Sequence, residues 1–190
     1  MIEKKIIKNL TNVEKNIIQL KKRRYIDLIN KASKLLISSL KKNNKIIFCG
    51  NGGSAADSLH LSAELLGRYL KNRKPYNSID LNSNIASITA ISNDYSYDDI
   101  FSRQLMALGK ANDILFAITT SGKSVNINKA IKQAKKMKIK VILLTSSKGK
   151  KLKKFCDLLI DCPGDRVDRI QEMQKIVGHI ICENVESILN

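Results

Sequence analysis

The first forty residues carry apolar side chains at three- and four-residue steps, the spacing of one face of an α-helix. The pattern breaks near Arg23–Tyr25, so it predicts two helices between about residues 3 and 42. The apolar positions are Ile6, Leu10, Val13, Ile17 and Leu20 in the first helix and Ile26, Ile29, Ala32, Leu36 and Leu40 in the second. These faces could pack on the rest of the chain or on another copy of it. We favour the second arrangement, with residues 1–43 as a helical extension for oligomerisation.

Beyond this extension, short apolar runs alternate with helical patterns. The runs predict five strands, at 45–49, 78–81, 113–119, 140–145 and 158–160. Helices are expected from the glycine-rich segment to Tyr69, over 85–91 with Ser92–Asp94 ending it, and over 98–109, 125–134 and 168–189. Strands that alternate with helices form parallel sheets covered on both faces. The sequence therefore predicts an α/β fold, a doubly wound parallel five-stranded sheet, in a single domain over residues 1–190.

The formal net charge of +17 raises the question of a nucleic-acid surface. The lysines are scattered, except for Lys135–Lys136 and Lys148–Lys154. Aromatic residues make up only 5% of the chain and do not interleave with these runs, so a stacking platform for bases is not expected. Lys, Ile and Asn are abundant throughout, as an AT-rich coding sequence would give. We therefore attribute the charge to composition and expect no nucleic-acid partner.

The chain has no features of a membrane or secreted protein. No segment approaches the roughly 18 uninterrupted apolar residues of a membrane span, and Met1–Lys8 is too charged for the core of a signal peptide. Cys49, Cys156, Cys162 and Cys182 form no CxxC pair, which favours reduced thiols over disulfides or a cysteine-based zinc site. We expect a cytoplasmic protein without a membrane partner.

A glycine-rich segment, Gly50–Ser54, lies where the first strand passes into a helix. Its glycines can take positive φ and let a ligand approach bare backbone, and Ser54 can cap the helix and offer a hydroxyl. The free N–H groups and the dipole of a helix start attract anions. The segment therefore predicts a phosphate site. It lacks the last glycine of a dinucleotide fingerprint, because position 55 is Ala.

A second polar loop, Thr119–Ser124, follows the third strand and supplies four hydroxyls and a glycine ahead of a helix. Hydroxyls and backbone N–H groups of this kind can surround a monophosphate. The loop contains Gly-Lys-Ser, but the earlier glycine of an ATP-binding P-loop is replaced by Ala117. Ligands in parallel sheets bind beyond the carboxyl ends of the strands, where both loops lie.

His60 and Glu64 are four residues apart, which places an imidazole and a carboxylate on one face of the predicted helix. They could form a surface pair, but histidine is scarce, since His179 is the only other one. His179 lies among apolar residues of the closing helix, where a packed core histidine is the simpler interpretation. Gln171, eight residues earlier, shares its face only loosely, with about 12 Å of rise between them.

Four motifs of this sequence are similar to those of a known protein family. The matching motifs are CGNGGSAADSLHLSAELLGRY, SNDYSYDDIFSRQL, TTSGKSVN and DRIQEMQKIVGH, and their order and spacing cover nearly the whole chain. The chain resembles the sugar-isomerase (SIS) domain family, and within it the phosphoheptose isomerases. Each motif alone is weak, whereas the combination is specific. Thr119 stands where the family often has Ser, and it keeps the hydroxyl.

The resemblance implies a homotetramer with active sites between protomers and one zinc ion per subunit. The implied metal ligands are His60, Glu64, Gln171 and His179, and nitrogen and oxygen ligands of this kind suit zinc. The implied sugar-phosphate contacts are Asn51, Gly52, Gly53, Ser54, Glu64, Asn93, Asp94, Thr119, Thr120, Ser121, Ser124 and Gln171.

The implied reaction converts sedoheptulose 7-phosphate to D-glycero-D-manno-heptose 7-phosphate through an enediol, in bacterial heptose synthesis for lipopolysaccharide or capsule. Such an exchange needs a carboxylate base at the carbon and an acid/base at the oxygens. Our hypothesis gives these roles to Glu64 and His179 respectively. The alternatives are an isomerase of a shorter ketose phosphate and a non-catalytic SIS protein that binds a sugar phosphate or a replication initiator.

Overall fold

In the computed structural model, which describes residues 1–190, five parallel strands form one sheet. The strands are β1 (Ile46–Cys49), β2 (Ser78–Asp80), β3 (Ile114–Ile118), β4 (Lys140–Thr145) and β5 (Leu158–Asp161). Their order across the sheet is β2-β1-β3-β4-β5. The chain leaves β1 for β2 on one side and returns to β3 on the other, so a crevice forms where the connections diverge. This arrangement confirms the predicted fold class and places both polar loops at that crevice.

Seven α-helices connect and cover the strands. They are α1 (Ile2–Leu20), α2 (Arg23–Lys41), α3 (Gly53–Leu66), α4 (Ile85–Asp94), α5 (Ile100–Leu108), α6 (Val125–Lys136) and α7 (Val167–Leu189), with 3₁₀ turns at Tyr97–Asp99 and Ser147–Phe155. Lys21 and Lys22 separate α1 from α2, just before the predicted break. The two N-terminal helices and the long closing helix are therefore present as predicted.

Successive side chains of the central strand point to opposite faces and so belong to two separate cores. Ile114, Phe116 and Ile118 of β3 pack with α2, α3 and α7 on one face. Leu115 and Ala117 pack with α5 and α6 on the other. All five residues are fully buried, which explains why the strand is a continuous apolar run rather than an alternating one.

Element boundaries differ from the prediction by one to three residues, most clearly in α3, α4 and α5. Helix α3 ends at Leu66 rather than Tyr69, and α4 continues through Asp94 instead of ending at Ile91. Short polar side chains such as those of Ser92–Asp94 are tolerated in a last helical turn, where they can reach solvent. The helix expected over 98–109 begins at Ile100, after a separate 3₁₀ turn.

Helix α1 packs against α7 but leaves much of its apolar surface uncovered. Leu20 is buried, whereas Ile6, Ile7 and Leu10 are each more than half exposed, at 52%, 56% and 64%. The chain itself therefore does not cover the predicted apolar stripe, and the oligomeric role of residues 1–43 stays a prediction. None of the helices combines the length and apolar character that a membrane crossing requires.

Candidate active site

The first polar loop turns sharply between β1 and α3. Gly52 has φ +56°, a conformation that favours glycine, and it is the N-cap residue of α3. The prediction that Ser54 caps the helix is wrong, because no side chain caps α3 and Ser54 lies inside its first turn, buried. The N–H of Ser54 donates to the carbonyl oxygen of Asn51 at 3.0 Å. A helix start without a side-chain cap is open to an anion.

Asn82 and Asn126, which lie outside this loop, each hydrogen-bond to one of its residues. Asn82 Nδ2 donates to the carbonyl oxygen of Gly50 at 2.9 Å, and Asn82 Oδ1 accepts from the N–H of Gly50 at 3.2 Å. Asn51 and Asn126 pair through their amides, with Nδ2-to-Oδ1 distances of 2.8 and 2.9 Å. The Tyr97 hydroxyl donates to Asn51 Oδ1 at 3.0 Å. Asn126 follows the second loop directly, so this pair joins the two loops.

The second loop presents its hydroxyls at the carboxyl end of β3. Its first residue is tied to the neighbouring strand, because the Thr119 N–H donates to the carbonyl oxygen of Leu144 at 3.0 Å. The hydroxyl oxygens of Thr119 and Ser124 are 3.5 Å apart. Ser124 is the N-cap residue of α6, yet its hydroxyl makes no capping bond. The Ser121 hydroxyl accepts from the N–H of Lys123 at 3.1 Å. Thr119 and Ser124 thus offer hydroxyls beside a second helix start.

Asp80 is a buried carboxylate two residues before Asn82, which bonds to the first loop. Asp80 ends β2, is only 5% exposed, and accepts from the N–H of Asn82 at 2.6 Å. Its second oxygen has no hydrogen-bond partner. Burial raises the pKa of Asp80 to about 6, and the hydrogen bond from the Asn82 N–H offsets this rise only in part. No motif in the sequence marks this residue.

His60, Glu64 and His179 converge, although they come from two helices remote in sequence. Their ligand atoms all lie within 4.8 Å of one another. His60 Nε2 is 2.9 Å from His179 Nε2 and 3.2 Å from Glu64 Oε1. Gly178 lets α7 approach, because a Cβ there would lie 2.7 Å from Leu61 Cδ1 on α3. Burial in the first place, and then the charge of His60, lower the pKa of His179. The neutral imidazole this favours can accept a proton or bind a metal.

Gln171 lies at the other end of the α3–α7 contact. Its amide occupies the space beside Gly53, where a Cβ would be 2.4 Å from Gln171 Nε2. Eight residues of helix α7, about 12 Å of rise, separate it from His179. The structure therefore places the Gln171 amide beside the glycine loop, and its role as a metal ligand stays a prediction.

Asn93 and Asp94 lie in the last turn of α4. They are exposed and bonded to each other, Asn93 Nδ2 to Asp94 Oδ1 at 2.9 Å, and neither hydrogen-bonds to the loops. Their neighbour Tyr97 does reach the first loop through Asn51. Tyr97 and Asn126 belong to the quoted motifs, but neither carries chemistry of its own that would have marked it in the sequence.

Comparisons with known proteins identify the family of this chain. Residues 10–146 match the model of the SIS domain. Phosphoheptose isomerase of Rhodospirillum rubrum is 47% identical over 161 residues, which are 85% of this chain and 86% of that protein. The Helicobacter pylori enzyme of the same name is 40% identical over 186 residues, 98% of this chain and 94% of that protein. The chain belongs to the phosphoheptose isomerase family of SIS-domain proteins.

Solved structures of the family superpose over nearly their whole length. Phosphoheptose isomerase of Neisseria gonorrhoeae gives a TM-score of 0.91 at 33% identity, covering 98% of this chain and 100% of that one. The Francisella tularensis phosphoheptose isomerase gives 0.94 at 32% identity, covering 98% and 99%. The family, the fold and the isomerase class predicted from the sequence are confirmed. The zinc ion, the tetramer and the roles of individual residues stay predictions.

Proposed function

We propose that this chain converts sedoheptulose 7-phosphate to D-glycero-D-manno-heptose 7-phosphate. The observation that carries the proposal is the convergence of Glu64 and His179 with His60, on two helices whose starts lie beside the glycine loop. A carboxylate and a neutral imidazole in one place are the pair that an aldose–ketose exchange requires. The relatives named phosphoheptose isomerase support the choice of a heptose phosphate as substrate.

In the proposed mechanism, the two polar loops hold the phosphate and so fix the distal end of the sugar. The start of α3 offers its N–H groups, and Thr119 and Ser124 offer hydroxyls. Asn51 and Asn126 keep the two loops together. With the phosphate anchored, the carbonyl end of the open-chain sugar reaches toward the side chains between α3 and α7.

Proton transfer is assigned to Glu64 and His179. The Glu64 carboxylate takes the proton from C1, the C1–C2 double bond forms, and negative charge develops on the C2 oxygen. The neutral His179 imidazole accepts the proton of the C1 oxygen and delivers a proton to the C2 oxygen, the C1 aldehyde forms, and Glu64 returns its proton to C2. Each group ends in its starting state, so the cycle needs no outside proton donor.

The residues present fit a zinc ion. His60, His179 and Glu64 offer two nitrogen atoms and one oxygen atom at close range, a ligand set typical of zinc with an open position. When bound, the metal would polarise oxygen atoms of the sugar. Gln171, whose amide lies beside Gly53, is the predicted fourth ligand and also a predicted substrate contact.

Assembly into a homotetramer is part of the proposal. Helix α1 exposes the apolar side chains of Ile6, Ile7 and Leu10. This supports assembly, because monomeric proteins seldom expose a contiguous apolar stripe. We place the protein in the cytoplasm and its product in lipopolysaccharide or capsule precursor synthesis. Sedimentation velocity across a range of concentrations tests the assembly, and a monomer at every concentration would contradict it.

The function is tested by incubating the purified chain with sedoheptulose 7-phosphate and following the sugar by ¹³C NMR. The expected result is a new aldose phosphate in equilibrium with the ketose, with deuterium from D₂O appearing at C2 of the product. Fructose 6-phosphate and ribulose 5-phosphate, run in parallel, test the shorter ketose substrates. Binding without turnover would favour the non-catalytic alternative.

A further inference from the structure

A buried ion pair lies between the ends of the two helices that carry the converging side chains. Arg73 Nε is 2.9 Å from Glu186 Oε1, and the two side chains are 1% and 3% exposed. Arg73 belongs to the irregular segment 67–77 that follows α3, and Glu186 lies on α7. Buried ion pairs are costly in desolvation unless every group is well partnered, so the surroundings of this pair bear on its role.

Arg73 satisfies the open end of α3. Its Nη2 donates to the carbonyl oxygen of Glu64 at 2.7 Å, and its Nη1 donates to the carbonyl oxygens of Leu65 and Gly67, both at 3.0 Å. The last carbonyl groups of a helix have no partner within the helix. Arg73 thus acts as a side-chain cap and fixes the turn from which the Glu64 carboxylate projects.

Glu186 ties the same segment to α7. Its carboxylate accepts from the N–H groups of Leu70 and Lys71 at 2.8 and 3.0 Å, and from the N–H of Tyr69 at 3.3 Å. These bonds, with the Arg73 bond, hold the pKa of Glu186 below its ordinary value despite its burial. The ring of Tyr69, placed by this contact, lies 6.0 Å from the ring of His179.

We propose that Arg73 and Glu186 are positioning residues that set the distance between α3 and α7, and with it the contact of His60 and Glu64 with His179. The pair connects the last turn of α3 to α7 about two turns beyond His179. The catalytic meaning of this geometry rests on the proposed function, whereas the geometric claim concerns the side chains themselves. The two claims can therefore be tested separately.

The test compares Arg73→Lys and Glu186→Gln with Asp113→Asn in the full chain. Asp113 is also a fully buried carboxylate, and it accepts from the N–H groups of Lys45 and Lys110 and from the Lys45 ammonium, each at 2.9 Å. It precedes β3, at the amino edge of the sheet and away from the converging residues. The control therefore reproduces the loss of a buried ionic network without touching α3 or α7.

The NMR signals of the histidine side chains report on the cluster itself, and a change in overall stability alone does not shift them. The chain contains only two histidines, and both lie in the cluster, so the imidazole ¹⁵N signals report on it directly. Both tested variants should shift or broaden these signals, lower the zinc affinity of the cluster about tenfold or more, and lower kcat at least tenfold with KM changed less than about twofold. Asp113→Asn should lower Tm and leave the histidine signals and zinc affinity as in wild type.

The proposal is overturned if Arg73→Lys and Glu186→Gln lower Tm like the control but leave the imidazole signals and the zinc affinity unchanged. A variant that fails to fold is replaced by Arg73→Gln or Glu186→Asp, judged by the same signals. If added zinc leaves the imidazole signals of the wild-type protein unchanged, the metal part of the proposed function is wrong. The effect of the two substitutions on the signals of His60 and His179 still tests the positioning role.

Discussion

The side-chain amides of Asn51 and Asn126 bond to each other twice, each Nδ2 donating to the other's Oδ1 at 2.8 and 2.9 Å. The two residues lie 75 positions apart, in the connections that leave adjacent strands β1 and β3. Asn126 is 2% exposed and also accepts from the N–H of Ile127 at 2.8 Å. The pair therefore fixes the relative positions of the two loops that we propose hold the same phosphate.

Asn126→Asp should weaken substrate binding. The substitution replaces the Nδ2 donor by a carboxylate oxygen that faces Asn51 Oδ1, and it adds a negative charge near the phosphate site. We expect KM to rise about tenfold, equivalent to about 1.4 kcal/mol, with a smaller change in kcat. Asn184→Asp on α7 adds the same charge next to Ser33, away from the loops, and is the control. Equal KM values for the two variants would count against the bridging role.

Glu64→Gln should remove the base that acts on carbon. The amide is nearly isosteric, and the backbone carbonyl of Glu64 can still accept from Arg73, so the fold should persist. General-base contributions are about 10²- to 10⁴-fold, and we expect kcat to fall by that order with little change in KM. Glu14→Gln, at an exposed position of α1, should retain wild-type kinetics. Near-normal turnover by a well-folded Glu64→Gln protein would rule out this assignment.

The sequence predicted the strands well because buried parallel strands are continuous apolar runs, as in Ile114–Ile118. It placed the end of α3 too late, because the apolar pattern continues past Leu66, although Gly67 is the C-cap residue and Arg73 bonds the last carbonyl groups from a distance. The 3₁₀ turn over Ser147–Phe155 was not predicted, because its lysines show a basic run and no helical pattern of apolar residues. Helix ends depend on tertiary contacts that local periodicity does not contain.

The candidate site was predicted unevenly for a similar reason. His60 and Glu64 share a helix face, so their proximity follows from spacing alone. The arrival of His179 beside them depends on the packing of α7 on α3, which only the family resemblance could suggest. Spacing along α7 also leaves open whether Gln171 and His179 reach one site, since they share a face only loosely. Asn82 and Glu186 act through hydrogen bonds between distant segments, and no motif marks them.

Removal of metal should abolish activity reversibly. We expect prolonged chelation, verified by elemental analysis, to lower kcat at least a hundredfold, and added zinc to restore it. Zinc at about 100 times its dissociation constant should also stabilise the fold by about 2.7 kcal/mol, seen as a rise in Tm. The rise should shrink in His60→Asn, which removes one of the three converging side chains. Full activity in a protein shown to be free of metal would exclude zinc from the mechanism.

Asp80 should make stability depend on pH in the direction opposite to an ordinary ion-paired carboxylate. Its pKa is about 6 in the folded protein and 3.8 in the reference state, so the folded protein holds the proton more tightly. The contribution of Asp80 to the free energy of unfolding is fully present below about pH 4, and this contribution is lost as the pH rises through about 6. From the two pKa values, the loss is at most about 3 kcal/mol.

Asp80→Asn should remove this dependence while keeping an oxygen that can accept from the N–H of Asn82. The difference in Tm between variant and wild type should therefore be more favourable to the variant at pH 7.5 than at pH 4.5. Ser83→Ala is the control, because the Ser83 hydroxyl donates to the Asp80 carbonyl oxygen at 2.7 Å and its removal takes away no titrating group. Its Tm difference should be the same at both pH values. A parallel result for Asp80→Asn would mean that Asp80 is ionised throughout this range, with its unpartnered oxygen reached by solvent.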